Sequence, residues 1–250
     1  MKLRYLTLAL LCALLPQVVQ AEASPLVINR VSTKSKLVAL TFDADMTPKM
    51  LSDLRHQRVS SWYNADVISV LQATHTPATL FLTGLWVAAY PEVTHELSLN
   101  PLFELGNHSY DHSSFRAGCT KLKTIPNSAD ADEVTKTEAL LTEQAAAHQK
   151  YFRFPGLCFE PSDATIVHQL GYLSIGGSAS GDAFQTRASR ITKHALAQAH
   201  PGAILVFHMH GGPDAPATAQ ALPQIIAGLK AEGYQLVKIS ELLQAGTPTS

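Results

Sequence analysis

The sequence of 250 residues predicts an α/β fold, a closed or nearly closed barrel of about seven parallel strands in a single domain. Short apolar runs alternate with longer helical stretches along the chain, which is typical of βαβ units and a parallel sheet. An open, doubly wound sheet is the alternative. It usually carries a Gly-rich phosphate loop after its first strand, where this chain has Asp43-Ala44-Asp45. That difference favours the barrel.

The strands are predicted from apolar runs bounded by polar or turn-forming residues. The first run, KLVALTF, is apolar on both faces, as expected for a strand buried on both sides, and AILVF is the most apolar of all. Pro77 introduces the second run. The predicted strands are 36–42, 78–82, 102–105, 151–154, 172–175, 203–207 and 234–239.

The helices are predicted between these strands. Asp66 falls in the first turn of the first helix, where a negative charge is favourable, and a long connection after Asp45 delays that helix. The third helix is rich in Ala and Glu. The predicted helices are 64–74, 86–97, 129–149, 161–170, 189–199 and 217–232.

The first residues predict a secretory signal peptide, 1–23. Lys2 and Arg4 precede the apolar run 6–15, and small residues follow in an A-x-A-like pattern. The run is shorter than the roughly 20 apolar residues of a membrane helix, so a retained anchor is the weaker alternative. We expect an exported protein, periplasmic or secreted, whose single domain covers 24–250 and has no membrane contact after cleavage.

The charge is nearly balanced, with 19 Lys and Arg against 20 Asp and Glu. Nucleic-acid-binding proteins usually carry a basic patch, so we expect no nucleic-acid partner. The composition does not indicate an oligomeric state. Cys12 lies in the signal peptide, which leaves Cys119 and Cys158. An oxidising compartment favours a disulfide between them, with two separate buried thiols as the alternative.

Several predicted strands end at polar residues. The first ends at Asp43, 102–105 runs into His108, 151–154 carries Arg153, and 203–207 runs into His208. In a parallel barrel these strand ends lie on one face, where active sites are built. The sequence therefore predicts one site on that rim.

The segment NHSYDH places His108 and His112 four residues apart. On a helical turn these side chains would be close enough to share one metal ion. Two His and one carboxylate, with a position open for water, is typical of a catalytic zinc site, and Asp43 or Asp45 could supply the carboxylate. Two unconnected surface His residues are the alternative.

Five stretches, in order, resemble the NodB-homology polysaccharide deacetylases, carbohydrate esterase family 4. The likeness runs from about residue 36 to 243. The stretches are Thr41-Phe42-Asp43-Ala44-Asp45, His108-Ser109-Tyr110-Asp111-His112, Arg153-Phe154-Pro155-Gly156, Asp182 in SGDAF, and His208 in LVFHMH.

The resemblance implies a deformed (β/α) barrel that removes N- or O-linked acetyl groups from polysaccharides with a divalent metal, usually zinc. It implies that Asp43 is the general base on a zinc-bound water, that Arg153 holds Asp43, and that Asp182 orients Arg153. His108 and His112 would bind the metal, and His208 would be the general acid. Backbone N–H groups after His112 could stabilise the oxyanion.

Two departures from the family pattern affect this assignment. The family usually has two adjacent aspartates, but here Ala44 takes the second place. Asp45 could bind the metal because it points to the same side of an extended chain as Asp43. Asp43 itself, or the two His residues with waters, are the alternatives. The fourth motif lacks its usual tryptophan, and Ala183 and Phe184 follow Asp182 instead.

Four further residues are candidates for substrate contact. His210 would project to the same side as His208 if the strand continues, and a partly exposed loop residue without a role is the alternative. Trp62, Tyr63 and Trp86 could stack on sugar rings, and packing over the barrel mouth or in the core is the alternative for each aromatic.

The sequence thus predicts a zinc-dependent deacetylase of a polysaccharide or oligosaccharide. A catalytically inactive carbohydrate-binding protein on the same barrel is one alternative, and another metal hydrolase, such as a phosphoesterase, is a second. The sequence leaves open the glycan, the choice between N- and O-acetyl groups, and the native metal.

Overall fold

The computed structural model describes residues 27–119, 121–183 and 185–250. The predicted signal peptide and Phe184 lie outside these residues. The described strands are β1 (Val27–Ile28), β2 (Arg30–Ser32), β3 (Leu37–Ala44), β4 (Ala78–Leu82), β5 (Phe103–Asn107), β6 (Tyr151–Phe152), β7 (Leu173–Ile175), β8 (Ser178–Ala179), β9 (Ala203–His208), β10 (Gln235–Val237) and β11 (Thr247–Thr249).

One sheet contains all of these strands, and its centre is parallel. The neighbours run in the order β1-β7-β6-β5-β4-β3-β9, with β8 beside β9 and β10 beside the start of β3. Two antiparallel strands, β2 and β11, extend the sheet beyond β9. The Asn29 N–H donates to the Thr249 carbonyl at 2.9 Å, which brings the two ends of the sheet together. The sheet is a nearly closed, deformed barrel, so the predicted fold class is confirmed.

The helices cover the outside of the barrel. Among the residues that the structure describes, no helix is long and apolar enough to cross a membrane. The helices are α1 (Pro48–Arg55), α2 (Ala65–Ala73), α3 (Gly84–Ala89), α4 (Pro91–Leu99), α5 (Asp130–Gln144), α6 (Pro161–Gln169), α7 (Ala188–Ala197), α8 (Thr218–Ala231) and α9 (Ile239–Gln244).

Three helix predictions need correction. The predicted helix 86–97 is two helices, because Tyr90 leaves the helical region before Pro91 begins α4. The predicted helix 129–149 ends at Gln144. The chain beyond it joins the sheet, where the Gln149 N–H donates to the Leu105 carbonyl at 2.8 Å. Helix α1 fills the connection after Asp45 that was expected to delay the first helix.

The alternation of side chains along β3 determines where the site lies. Val38, Leu40, Phe42 and Ala44 pack in the cluster under the outer helices. Ala39 belongs to a second cluster, with side chains of β4, β6 and β9, that fills the barrel interior. Because side chains alternate along a strand, Thr41 and Asp43 continue the inward row. Asp43 therefore stands at the carboxyl end of the barrel, above its core.

Candidate active site

The inward rows of three further strands end beside Asp43. His108 directly follows β5, Arg153 directly follows β6, and His208 is the last residue of β9. Gly106, two residues before His108, leaves room for the Phe81 ring, because a Cβ at Gly106 would lie 2.9 Å from that ring. The Arg153 guanidinium carbon lies 4.0 Å from the centre of the same ring. The predicted rim residues thus meet in one place.

Asp45, His108 and His112 form a group whose potential ligand atoms all lie within 4.8 Å of one another. Asp45 Oδ1 lies 3.4 Å from His108 Nε2 and 3.3 Å from His112 Nε2. This oxygen is buried and has no hydrogen-bond partner among the described residues. A buried carboxylate oxygen without a partner is costly, so this arrangement suits a cation.

Asp43 has a different set of partners. Its Oδ1 accepts a hydrogen bond from Arg153 Nη1 at 2.7 Å, and its Oδ2 lies 3.7 Å from His108 Nε2. The two aspartates therefore point to the same side, as the extended chain predicts, but Arg153 binds only Asp43. Of the alternatives left open by the sequence, the geometry favours Asp45 as the carboxylate facing a metal.

The two His residues do not share a helical turn, which corrects the sequence prediction. They lie on a loop in which Ser109 (φ 69°) and His112 (φ 60°) both adopt left-handed backbone conformations. The loop brings the two ring centres to 5.0 Å. Such conformations are uncommon for residues other than glycine, and they persist where the surrounding structure holds them.

Two residues that the sequence analysis did not single out hold this loop. Glu133 on α5 accepts hydrogen bonds from the backbone N–H groups of Tyr110 (2.9 Å) and Asp111 (3.2 Å). Asn107 accepts one from the Ser109 N–H at 3.0 Å. The position of Asn107 beside the first His was the one available indication. Glu133 is distant in sequence and resembles other acidic residues of its helix.

Arg153 organises both sides of the site. Its side chain is wholly buried and donates to the carbonyls of Gly176 (3.0 Å) and Ile175 (3.3 Å) as well as to Asp43. Burial lowers the pKa of this guanidinium, while Asp43 opposes that effect. The Arg153 carbonyl lies 2.8 Å from His108 Nδ1. That contact fixes the ring so that Nε2 faces Asp45.

Asp182 contacts His208, which corrects the expectation that it orients Arg153. Its Oδ1 lies 2.9 Å from His208 Nδ1, and its Oδ2 accepts hydrogen bonds from the His208 N–H (2.7 Å) and the Thr218 hydroxyl (2.8 Å). Arg153 is instead satisfied by Asp43 and two carbonyls. Sequence order gave no means of distinguishing these two partners for Asp182.

The electrostatic environment shifts the pKa values of the titratable groups of the site in different directions. Burial opposes ionisation of Asp45, but the neighbouring His112, His108 and His208 hold its pKa well below the usual range. Burial also lowers the pKa of His112 to about 4. For His208, burial acts in the same direction, but Asp182 prevails and raises the pKa to about 10. Near neutral pH the group thus offers a carboxylate and a neutral imidazole beside a protonated His208.

These residues open into a cavity of about 460 Å³, here called the catalytic cavity. His210 lines it, with its ring centre 6.2 Å from that of His208. The remaining wall is largely apolar. Besides Asp43, Asp45, His108, His112 and His208, the cavity is lined by Lys121, Leu122, Gly156, Leu157, Ala179, Ala183 and Val206.

A disulfide joins Cys119 to Cys158, the pair expected from the sequence. It connects the segment that carries Lys121 and Leu122 to the segment that carries Gly156 and Leu157. Both segments line the catalytic cavity. The bridge therefore fastens the two loops that form one wall of the site.

The three aromatic candidates for sugar stacking have different positions. Trp86 is fully buried, and Trp62 is buried with its Nε1 donating to the Met50 carbonyl at 2.7 Å. Neither ring has a face open to a sugar, so their prediction as stacking residues is corrected. Tyr63 is half-buried, and its ring packs edge-on against Trp86. Only Tyr63 remains available for contact.

The polysaccharide deacetylase family matches residues 30–175, more than half of the chain. The chain therefore belongs to the polysaccharide deacetylase family, and its resemblance to the NodB-homology proteins of carbohydrate esterase family 4 is confirmed. The matched segment includes the rim residues from Asp43 to Arg153. Asp182 and His208 lie beyond it.

Similar proteins include a bifunctional xylanase/deacetylase from Pseudobutyrivibrio xylanivorans, 29% identical over 210 residues. That match covers 84% of this chain but 31% of the relative. A peptidoglycan-N-acetylglucosamine deacetylase from Bacillus cereus is 25% identical, with 90% of this chain and 96% of the relative covered. A family 4 pseudoenzyme from Bacillus anthracis has a similar structure, with a TM-score of 0.71, 23% identity, and coverage of 89% and 70%. At that identity the likeness concerns the fold alone.

Proposed function

We propose that this protein is a zinc-dependent hydrolase that removes acetyl groups from an N- or O-acetylated polysaccharide. One observation carries the proposal. A candidate base and a candidate acid, each fixed by a buried partner residue, both lie beside the group of possible metal ligands. Asp43, fixed by Arg153, lies 3.7 Å from His108, and His208, fixed by Asp182, lies 4.0 Å from Asp45. Hydrolysis of an amide or ester needs both a base and an acid beside one reacting centre.

The residues present fit a divalent metal. Asp45, His108 and His112 supply one carboxylate and two imidazoles, the set typical of a catalytic zinc site with an open position. The unpartnered oxygen of Asp45 and the fixed ring of His108 support this assignment. When bound, a metal of this kind activates water and polarises the acyl carbonyl.

The remaining chemistry falls to Asp43 and His208. Asp43 accepts a proton from the attacking water while the water oxygen bonds to the acyl carbon. The bond from that carbon to the sugar nitrogen or oxygen then breaks, and His208 donates a proton to the departing atom. Asp182 keeps His208 charged and oriented, so it is a positioning residue. Arg153 positions Asp43 in the same way. Each proton transfer contributes about 100- to 10,000-fold to the rate.

The proposed cellular setting is outside the cytoplasm. The predicted signal peptide 1–23 and the disulfide both support export, to the periplasm or beyond. The relatives named above are a xylanase/deacetylase and a peptidoglycan-N-acetylglucosamine deacetylase, and an acetylated glycan of this kind is the substrate we propose.

Two alternatives are less well supported. A catalytically inactive binding protein would have no need of a base and an acid, each held by its own buried partner. A phosphoesterase with two metal ions would need a second ligand group, and among residues 27–119, 121–183 and 185–250 there is one such group. We therefore retain the deacetylase.

The test is acetate release by the mature protein, stripped of metal and then reloaded with zinc. The substrates are N-acetylglucosamine oligomers, acetylated xylan and p-nitrophenyl acetate. We expect release only with metal, and Asp43→Asn should reduce it about 100- to 10,000-fold. Asp132→Asn, an exposed carboxylate on α5, is the matched control and should be unaffected. No release from any substrate by a folded, zinc-loaded protein would reject the proposal.

A further inference from the structure

Beyond the proposed ligands, base and acid, the catalytic cavity has an apolar wall that no step of the proposed reaction uses. We define this wall by the side chains of Leu122, Leu157, Ala179, Ala183 and Val206. The two leucines are half-buried and the two alanines are exposed, so the wall faces solvent. Apolar surface that faces solvent beside a reacting centre is unfavourable unless a ligand covers it.

The wall is built from both sides of the site. Val206 lies two residues before His208 on β9, so it points to the same side but deeper in the barrel. Ala179 on β8 is paired with Val206 in the sheet, so the two side chains lie side by side. Leu122 and Leu157 come from the two segments that the Cys119–Cys158 disulfide joins. The wall thus runs from the foot of the acid to the fastened loops.

The backbone around Leu157 shows that its position is imposed. Gly156 (φ 63°) and Leu157 (φ 57°) both adopt left-handed conformations, which are uncommon for leucine. The Leu157 N–H donates to the Phe154 carbonyl at 2.9 Å, and the next residue, Cys158, is held by the disulfide. An unfavourable conformation of this kind persists where its surroundings hold it, often at a functional site. Here it keeps a hydrocarbon side chain in the wall of the catalytic cavity.

The chemistry of the reaction indicates which part of a substrate meets this wall. His208 donates its proton to the departing atom, so the departing sugar or alcohol lies beside His208. A sugar carries hydroxyl groups, and covering them with an apolar wall would leave them without partners. Besides the proposed ligands, base and acid, the polar side chains among the described lining residues are His210 and the exposed Lys121. The wall therefore suits the acyl part of the substrate, which has no hydroxyl groups.

The size of the cavity exceeds what an acetyl group needs. An acetyl group presents a single methyl carbon, whereas the cavity has a volume of about 460 Å³. Each further methylene group of an acyl chain would remove more of the wall from water, which is favourable. The volume and the apolar lining both favour a longer hydrocarbon chain.

We propose that this protein also hydrolyses esters or amides of acyl groups longer than acetyl, such as butyryl and hexanoyl, with the acyl chain lying against the apolar wall. The inference rests on the proposed function for the hydrolytic step. As there, the water oxygen bonds to the acyl carbon, Asp43 accepts the proton of the water, and His208 donates a proton to the departing nitrogen or oxygen. The products are a short-chain carboxylic acid and the free amine or alcohol.

The experiment lengthens the substrate on one side at a time, with zinc-reloaded mature protein. Along p-nitrophenyl acetate, propionate, butyrate and hexanoate, kcat/KM relative to the rate with hydroxide should rise about two- to fourfold per methylene. Ethyl, butyl and hexyl acetate extend the departing alcohol instead, and they should show no such rise. A rise in the second series alone would assign the wall to the departing group and overturn the inference.

Two variants test the wall itself. Ala183→Trp fills the cavity, and Leu157→Asn replaces hydrocarbon with an amide that tolerates the left-handed conformation. Each should lower the ratio of hexanoate to acetate ester hydrolysis about tenfold. Ala227→Trp is the matched control, an exposed position on α8 that does not line the cavity, and it should leave this ratio unchanged.

The outcomes separate this inference from the proposed function. Acetate release from acetylated glycans, with a rate on the esters that does not depend on acyl length, overturns the inference and leaves the deacetylase standing. Hydrolysis of the hexanoate ester that depends on the wall, without acetate release from any glycan, upholds the acyl site and rejects the polysaccharide deacetylase. No hydrolysis of any substrate by folded, zinc-loaded protein rejects both.

Discussion

Acidic side chains are buried close together in two places in this barrel, and their negative charge is compensated differently in each place. At the rim, Asp43 pairs with Arg153, and Asp45 lies among three imidazoles. At the junction of α5 and α6, Asp130 and Asp163 are both fully buried. Neither oxygen of Asp130 has a hydrogen-bond donor from the described residues.

The pKa values diverge accordingly. The imidazoles around Asp45 overcome its burial and hold its pKa well below the usual range. Burial instead raises the pKa of Asp130 well above that range, and the neighbouring Asp163 and Glu133 raise it further. A protonated Asp130 can donate its O–H to Asp163. A buried carboxyl group with a cation stays charged and reactive, whereas one without a cation keeps its proton and serves the fold.

Other contacts between the two segments at this junction also suit a structural role. Asn127 donates to Asp163 at 2.9 Å, and Arg116 pairs with Glu160 at 3.2 Å. The Cys119–Cys158 disulfide joins the same two segments. The surroundings therefore favour the ionised form of Asp45 at the rim and the protonated form of Asp130 at the junction.

The largest expected effect comes from removing the positive charge of Arg153, the partner of Asp43 at the rim. Arg153→Met leaves Asp43 buried without its partner, which should lower the free energy of unfolding by about 3–5 kcal/mol. Urea denaturation followed by circular dichroism measures this, with the exposed Arg190→Met as control. Adding Asp43→Asn to Arg153→Met should recover part of the loss. Equal stability of Arg153→Met and the natural sequence would refute the pairing argument.

The disulfide should contribute slightly less. Cys119 and Cys158 are separated by 39 residues, and closing a loop of that length stabilises the folded chain by about 2–4 kcal/mol. The double variant Cys119→Ser/Cys158→Ser should unfold at correspondingly lower urea concentration, and reduction of the natural protein should reproduce this change. If the variant is as stable as the natural protein, the junction does not depend on the bridge.

The smallest effect concerns pH at the junction. Because the folded state raises the pKa of Asp130, its proton stabilises the fold at low pH. That contribution is lost as the pH rises from about 4, where a free carboxyl group titrates, through the raised value. Asp130→Asn removes this dependence. Relative to that of the natural sequence, the free energy of unfolding of the variant should increase by about 1 kcal/mol or more between pH 5 and pH 9.

Urea midpoints at the two pH values measure the difference. Asp132→Asn lies in the same turn of α5 but is exposed, so it should show no such trend. A constant difference in urea midpoint between Asp130→Asn and the natural protein across this range would indicate that Asp130 is ionised in the folded state. Asp130 would then not differ from Asp45 in its protonation state.

Much of the fold and rim was predictable because both depend on local patterns. Apolar runs gave the strands of the parallel core, which are β3, β4, β5, β6, β7, β9 and β10, and strand ends gave Asp43, His108, Arg153 and His208. The strands β1, β2, β8 and β11 have two or three residues and do not belong to the longer apolar runs from which the other strands were predicted. Helix α1 has its own indication in the sequence, since Thr47 caps it and Pro48 begins it.

Partner assignments were harder, because they depend on tertiary contact. The attachment of Asp182 to His208 rather than to Arg153 depends on the packing of the Asp182 segment beside the end of β9, which no spacing encodes. The loop that joins His108 to His112 relies on Glu133, a residue distant in sequence. The burial of Trp62 and Trp86 depends likewise on which helix covers them. The side chains that carry the chemistry could be predicted from the sequence, whereas the residues that hold them in place could not.

The central claim is that Asp45 faces the metal while Asp43 is kept free as the base. Calorimetric titration of metal-free protein with zinc tests it directly, on the natural sequence, Asp45→Asn and Asp43→Asn. We predict one zinc per chain, with affinity reduced at least about 100-fold in Asp45→Asn and little changed in Asp43→Asn. The reverse order, with Asp43→Asn losing zinc and Asp45→Asn retaining it, would contradict the account.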